Sequence, residues 1–137
     1  MGSLVFLDSN ILVYTDDASS PEKRATARAL VNKHLGDGTA VVSLQVLQEY
    51  FAVTTRKLGV PAELAQEKVR ILGEGRVVRF EPSDVIAVIE LYRLTHISFW
   101  DALIVHAARS AGVAVLYSED LQHEGLVSGV RIVNPFI

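Results

Sequence analysis

The sequence predicts a three-layer α/β/α fold around a mostly parallel sheet of about five strands. Two observations carry this. Five short apolar runs recur along the chain, each too short for a helix. Between them lie longer stretches whose apolar residues repeat every three or four positions, the spacing of one helix face. Strands that alternate with helices are expected to lie parallel, with the crossover helices on both faces of the sheet.

Leu4-Val5-Phe6-Leu7 is unbroken by any polar residue, as suits a strand buried on both faces. Ser20-Pro21 then offers an N-cap and a proline at the first helical position, where its missing N–H is not needed. That helix is expected to run to about Gly36. Thr39-Ala40-Val41-Val42 reads as the second strand. Leu47, Tyr50, Phe51, Thr54 and Leu58 share one face of a second helix, stopped by Gly59. Pro61 opens a third, ending near Gly73, and a third strand covers 76–80. Val85, Val88, Ile89 and Tyr92 give the spacing of a fourth helix. A fifth covers 99–110 and is stopped by Gly112, which also opens the strand Val113-Ala114-Val115-Leu116. The last strand, 131–133, ends at Asn134-Pro135. With no repeat, linker or low-complexity stretch, residues 1–137 are expected to form a single domain.

Composition removes several kinds of chemistry. There is no cysteine, which excludes disulfides, thiolate metal sites and thiol nucleophiles. The four histidines show no paired spacing such as H-E-x-x-H, so any metal would be held by oxygen. No apolar run approaches the roughly 18 residues of a membrane span, and no charged-then-apolar leader opens the chain. Met1-Gly2 is a weak likeness to an acylation start, because Phe6 stands where that signal needs serine or threonine. A cytoplasmic protein is expected. Hydrophobic residues make up 50% of the chain, and part of that excess is expected to cover an interface.

Four acids stand at places where acids need a reason. Asp8 directly ends the first strand and should project from the carboxyl edge of the sheet, either as a site residue or as the cap of the next turn. Glu49 has Gln45, Val46, Ala52 and Val53 three and four residues away, mostly apolar neighbours, and a carboxylate there is costly unless something satisfies it. Asp101 starts the fifth helix and also fits a capping box with Ser98. Asp120 follows the fourth strand within Tyr117-Ser118-Glu119-Asp120, where Glu119 is an equally good acid. Strand ends and helix starts in a parallel sheet converge on one edge, near the switch in strand order where ligands bind. Carboxylates gathered there repel by roughly 4 kcal/mol per pair at about 4 Å and an effective dielectric near 20. Such a cluster calls for protons or hard cations, Mg²⁺ or Mn²⁺. Setting these four aside turns the net charge of −3 into 13 basic against 12 acidic residues, so composition does not exclude nucleic acid.

The segments Phe6-Leu7-Asp8-Ser9-Asn10-Ile11-Leu12, Gln45-Val46-Leu47-Gln48-Glu49-Tyr50, Ser98-Phe99-Trp100-Asp101-Ala102-Leu103-Ile104 and Tyr117-Ser118-Glu119-Asp120-Leu121-Gln122 resemble the PIN-domain family. They look closest to the compact bacterial VapC-type toxins of toxin–antitoxin pairs, and the likeness extends to the closing Arg131-Ile132-Val133-Asn134-Pro135-Phe136. The resemblance maps the family's acidic quartet onto Asp8, Glu49, Asp101 and Asp120, its small polar companion onto Ser118 and a further polar position onto Asn10. It is this likeness that favours Asp120 over Glu119. Glu124 lengthens the turn after His123 relative to the commoner family pattern. The resemblance implies an endoribonuclease using Mg²⁺ or Mn²⁺, homodimeric and inhibited by a small antitoxin. Asp8, Asp101 and Asp120 would ligate the metal, with Glu49 ligating or orienting the water whose attack leaves 5′-phosphate and 3′-hydroxyl ends.

Other residues are read first in their plainer roles. Lys23, Arg24 and Arg28 form a basic stripe expected to be solvated, with phosphate or antitoxin contact as the alternative. His106 and Arg109, and more weakly Arg131 and His123, are alternatives for contact with RNA. Trp100 is read as a core anchor rather than a platform for a base, and Tyr14, Tyr50 and Phe51 as core. Exposed apolar surface on the first three helices would suit an antitoxin. Asp8-Ser9-Asn10 stands where a dinucleotide or NTP site has a glycine-rich loop. An aspartate-nucleophile phosphatase would carry a second acid at Asn10. A non-catalytic binding module would be expected to lack part of the quartet, and a metal-dependent DNA nuclease stays open.

Overall fold

The computed structural model describes residues 2–121 and 125–137; Gln122, His123 and Glu124, and with them the lengthened turn, lie outside these. Six strands and six helices follow one another as β1 (Val5–Leu7), α1 (Ser9–Tyr14), α2 (Pro21–Asp37), β2 (Ala40–Ser43), α3 (Leu44–Lys57) and α4 (Ala62–Gly73). The second half of the chain gives β3 (Arg76–Val78), α5 (Pro82–Thr95), α6 (Phe99–Ser110), β4 (Val115–Tyr117), β5 (Gly125–Val127) and β6 (Val130–Val133). The strands form one sheet in the order β3-β2-β1-β4-β6-β5. Every pairing is parallel except β5 with β6. The predicted α/β/α class with a mostly parallel sheet is therefore what the chain adopts, with one strand more than expected.

The order of the strands decides where a ligand can sit. From β1 the chain moves outward through β2 to β3, then returns to place β4 on the other side of β1. Strand order thus reverses between β1 and β4, which opens a crevice at their carboxyl ends. The register Leu7↔Tyr117 makes Asp8 and Ser118 next-door neighbours at that edge. A backbone bond from the Asp8 N–H to the Tyr117 carbonyl, at 3.1 Å, fixes the pair. Phe6, Leu7, Val41 and Leu116 are fully buried on the strands, with Ile11 and Leu12 of α1 and Val46 and Tyr50 of α3 packed around them. In α6 every residue from Ala102 to Ala108 is buried.

Two elements escaped the sequence. The six residues of α1 are too few to show a helical period. The short β5 is joined to β6 through Ser128 and Gly129, both at positive φ (52° and 84°), the conformation of a tight hairpin turn. Ser20 precedes α2 without making a side-chain cap bond.

Two core assignments are overturned. Trp100 is 65% exposed, because the first turn of α6 reaches past the sheet edge; its ring packs edge-on against Phe99 with centroids 5.4 Å apart. Phe51 is also largely exposed, on the side of α3 that turns toward α4. On α5, Val88 and Leu91 are buried, while Val85, Ile89 and Tyr92, three of the four residues that identified the helix, face outward. No helix among the described residues is long and apolar enough to cross a membrane.

Candidate active site

Asp8 is only 6% exposed, and both of its carboxylate oxygens are held. Oδ1 accepts the Ser9 N–H at 2.7 Å, so Asp8 caps α1; Oδ2 accepts the Ser118 hydroxyl at 2.8 Å. Both readings of Asp8 offered by the sequence, cap and site residue, are thus compatible in one side chain. The Asn10 amide stands over the same point. Its Nδ2 lies 3.4 Å from Asp8 Oδ2, 3.3 Å from Ser118 Oγ and 3.3 Å from Asp120 Oδ2. Its Oδ1 accepts the Glu119 N–H at 3.1 Å, which fixes which end of the amide faces the acids.

Electrostatics mark the point as unusual. Burial pushes the Asp8 carboxyl up to about 6, against the opposing hydrogen bonds from Ser118 and Ser9, and the charges of Glu49 and Asp120 push it further. Glu49 is partly buried, on the second turn of a helix that starts where β2 ends, and it accepts the Gln45 amide at 3.3 Å. Ser43 caps that helix through a bond from the Val46 N–H at 3.2 Å, and so sets its starting point.

Glu119 and Asp120, inseparable by sequence, point to different places. Glu119 receives the Tyr14 hydroxyl at 2.6 Å and pairs with Lys23 at 2.5 Å, whereas Asp120 is tied through Asn10 toward Asp8. Asp101 lies on the first turn of α6, which runs back along the sheet before β4 and so begins at the carboxyl edge. Ser98 Oγ accepts the Asp101 N–H at 3.0 Å, and no hydrogen bond joins the Asp101 carboxylate to the other acids among the described residues. Asp8, Ser118, Asn10 and Asp120 are therefore brought into contact, Glu49 is near enough for its charge to act on Asp8, and Asp101 stands at the same edge outside that contact.

The donor set suits a hard divalent cation, being all oxygen, partly desolvated and short of positive charge. The Asn10 amide hydrogens place positive potential between Asp8 and Asp120. As the side chains stand, no three acidic or histidine groups among the described residues lie close enough to enclose one ion.

Two other expectations change. His106 is buried and cannot reach RNA; its Nε2 lies 3.0 Å from Asp84 and its Nδ1 3.0 Å from Arg109, clamping α6 to α5. The basic stripe on α2 is not simply solvated, since Lys23 is engaged by Glu119 and Arg28 donates to the Thr15 carbonyl at 2.7 Å. A half-buried link also joins α3 and α4 to the end of α1: Tyr50 donates to Asp16 at 2.5 Å, and Lys68 pairs with the same carboxylate. Sequence reasoning passed over Asp16 and Lys68, which lie 52 residues apart in the chain and meet only in the fold.

No curated protein matches the sequence significantly. Among solved structures, VapC20 of Mycobacterium tuberculosis, a toxin that cleaves the sarcin–ricin loop, is similar with a TM-score of 0.70 and 23% identity, over 86% of this chain and 91% of that one. A toxin–antitoxin complex from Klebsiella pneumoniae is similar with a TM-score of 0.69 and 17% identity, over 97% and 98% of the two chains. VapBC2 of Rickettsia felis, bound to a DNA fragment from its promoter, gives 0.68 and 19%, over 96% and 98%. At these identities the likeness is one of fold. The model of the PIN domain, however, matches residues 5–126, a span that includes both the β1–β4 crevice and all four acids, and the chain accordingly belongs to the PIN domain family.

Proposed function

We propose that residues 1–137 form one metal-dependent endoribonuclease domain, the toxin of a toxin–antitoxin pair, acting in the cytoplasm. The observation that carries this reading is Asp8: a buried carboxylate, locked in orientation by Ser9 and Ser118, with Glu49 and Asp120 charged beside it. Such a group is unfavourable for stability alone and is explained by a cationic ligand. Asp8, Asp101, Asp120 and Glu49 would hold Mg²⁺ or Mn²⁺. The bound cation would supply charge that makes water a better nucleophile and offsets the charge of the phosphodiester under attack.

The chain's own residues then have separate tasks. Ser118 and Ser9 keep both Asp8 oxygens from rotating. Asn10 spaces Asp8 from Asp120 and screens their repulsion. No side chain is required as a nucleophile.

The partners follow from exposed apolar surface. The outward stripe Val85, Ile89 and Tyr92 with Ile86 on α5 suits a homodimer contact. The grooves beside α4, one lined by Leu44, Leu47, Phe51 and Val69 and one by Leu35, Leu64 and Ile71, suit an apolar segment of an antitoxin. Both the fold likeness to VapC toxins and the toxin–antitoxin complexes among the similar structures support this reading.

The test is cleavage of total RNA by the purified protein, with sequencing of the cut ends. Cleavage is expected with Mg²⁺ or Mn²⁺, to stop in EDTA, to return with Mn²⁺, and to be lost in Asp8→Asn and Asp101→Asn. Cleavage that persists in EDTA, or at near wild-type rates in Asp8→Asn, refutes the mechanism.

A further inference from the structure

Beside the acids, at the carboxyl ends of β2 and β3, lies a groove of about 320 Å³ lined by Ser43, Leu44, Gln45, Gln48, Phe80 and Trp100. Trp100 is next in sequence to Asp101, and Gln45 donates to Glu49 at 3.3 Å, so the groove adjoins two of the four acids. The indole is 65% exposed yet held against Phe99 at an interplanar angle of 77°. Gln48 is exposed beside it. A large aromatic surface open to water, flanked by amides that both donate and accept, is what an unpaired nucleobase meets: a face to stack on and groups to read its edge. No residue of α5 lines the groove, which sets it apart from the outward apolar stripe of that helix.

We propose that this groove receives one unpaired base of a single-stranded RNA, stacked on Trp100 and read by the Gln48 and Gln45 amides, beside the point of cleavage. The proposal rests on the nuclease reading and adds to it a base-specific subsite. It makes the substrate a loop or single strand, because a base held within a duplex cannot enter.

Trp100 is the only tryptophan, so its fluorescence reports the groove directly. The experiment titrates Asp8→Asn protein, which spares the probe, with octauridylate, octacytidylate and octaadenylate in Mg²⁺. Quenching is expected with at least one of them and not with a blunt RNA duplex. In the same background, read by the anisotropy of fluorescein-labelled oligonucleotide, Trp100→Ala should bind about tenfold more weakly and Trp100→Phe nearly normally, as loss of one stacked base implies. Gln48→Ala should narrow the differences among the three oligonucleotides. Unchanged fluorescence, or affinities within twofold in Trp100→Ala, overturns the proposal. So does emission that responds to protein concentration alone, with Trp100→Ala sedimenting as a smaller species, which would make the groove a contact between copies. The two readings fail separately. Quenching by RNA that the wild type never cuts removes the nuclease and leaves the subsite. Cleavage by Trp100→Ala with wild-type KM and cut ends removes the subsite and leaves the nuclease.

Discussion

With one carboxylate oxygen on the Ser9 N–H and the other on the Ser118 hydroxyl, Asp8 cannot swing away when its neighbours are charged. Its carboxyl, raised from 3.8 to about 6 in the folded protein, binds a proton more readily there than in the unfolded chain. Its stabilising contribution is therefore full below about pH 4 and is lost as pH rises through about 6. In EDTA, Asp8→Asn is expected to exceed the wild type in stability by about 3 kcal/mol near pH 8, with the gap closing toward about pH 4. Urea unfolding at the two pH values checks both sign and window. Mn²⁺ should reverse the ranking by raising the wild-type Tm more than that of the variant. The pair Glu119 and Asp120 makes a second comparison. Asp120→Asn should reduce RNA cleavage by roughly two orders of magnitude, because the variant would hold the cation with one carboxylate fewer. Glu119→Gln, which only releases Lys23, should leave the rate within a few fold. Sequence could not separate these neighbours, because the lysine that claims Glu119 lies 96 residues away.

Helices were legible wherever an apolar period could run for three turns, as in α3 and α6, and strands wherever branched residues followed one another, as in β1 and β2. Periodicity identified α5 correctly but could not say which side is covered, since Val88 and Leu91 face inward and Val85 and Ile89 outward, so apolar residues stand on both sides of the helix. Trp100 was misplaced for a related reason: it stands in the first turn of the helix whose residues Ala102 to Ala108 are all buried, yet its own side chain is left in water. Ile89→Glu is expected to abolish self-association in sedimentation while leaving the fold intact, because the substitution puts a charge on a surface that is already exposed. Ser43 ends β2 and caps α3 in the same residue. Ser43→Ala should cost about 1 kcal/mol in urea unfolding. Its effect on cleavage should exceed what that loss explains, since the cap sets where Glu49 stands.

At the scale of the molecule, the hydrogen-bonded part of the candidate site is made of segments from the two ends of the chain. The first strand supplies Asp8, the helix after it Asn10, and the turn beyond β4 Ser118 and Asp120. The hydrogen bond from Ser118 to Asp8 spans 110 residues. Until β4 pairs with β1, the first strand has a partner on only one side and the crevice has only one wall. Pairing over such distances is slow and comes late in folding. During translation the consequence is one of timing. A nascent chain carries Asp8 almost from its beginning, but Ser118 and Asp120 can join it only when most of the protein has been synthesised. Under the function proposed above, the chain stays without its assembled acidic edge until β4 is in place, and topology alone sets that delay.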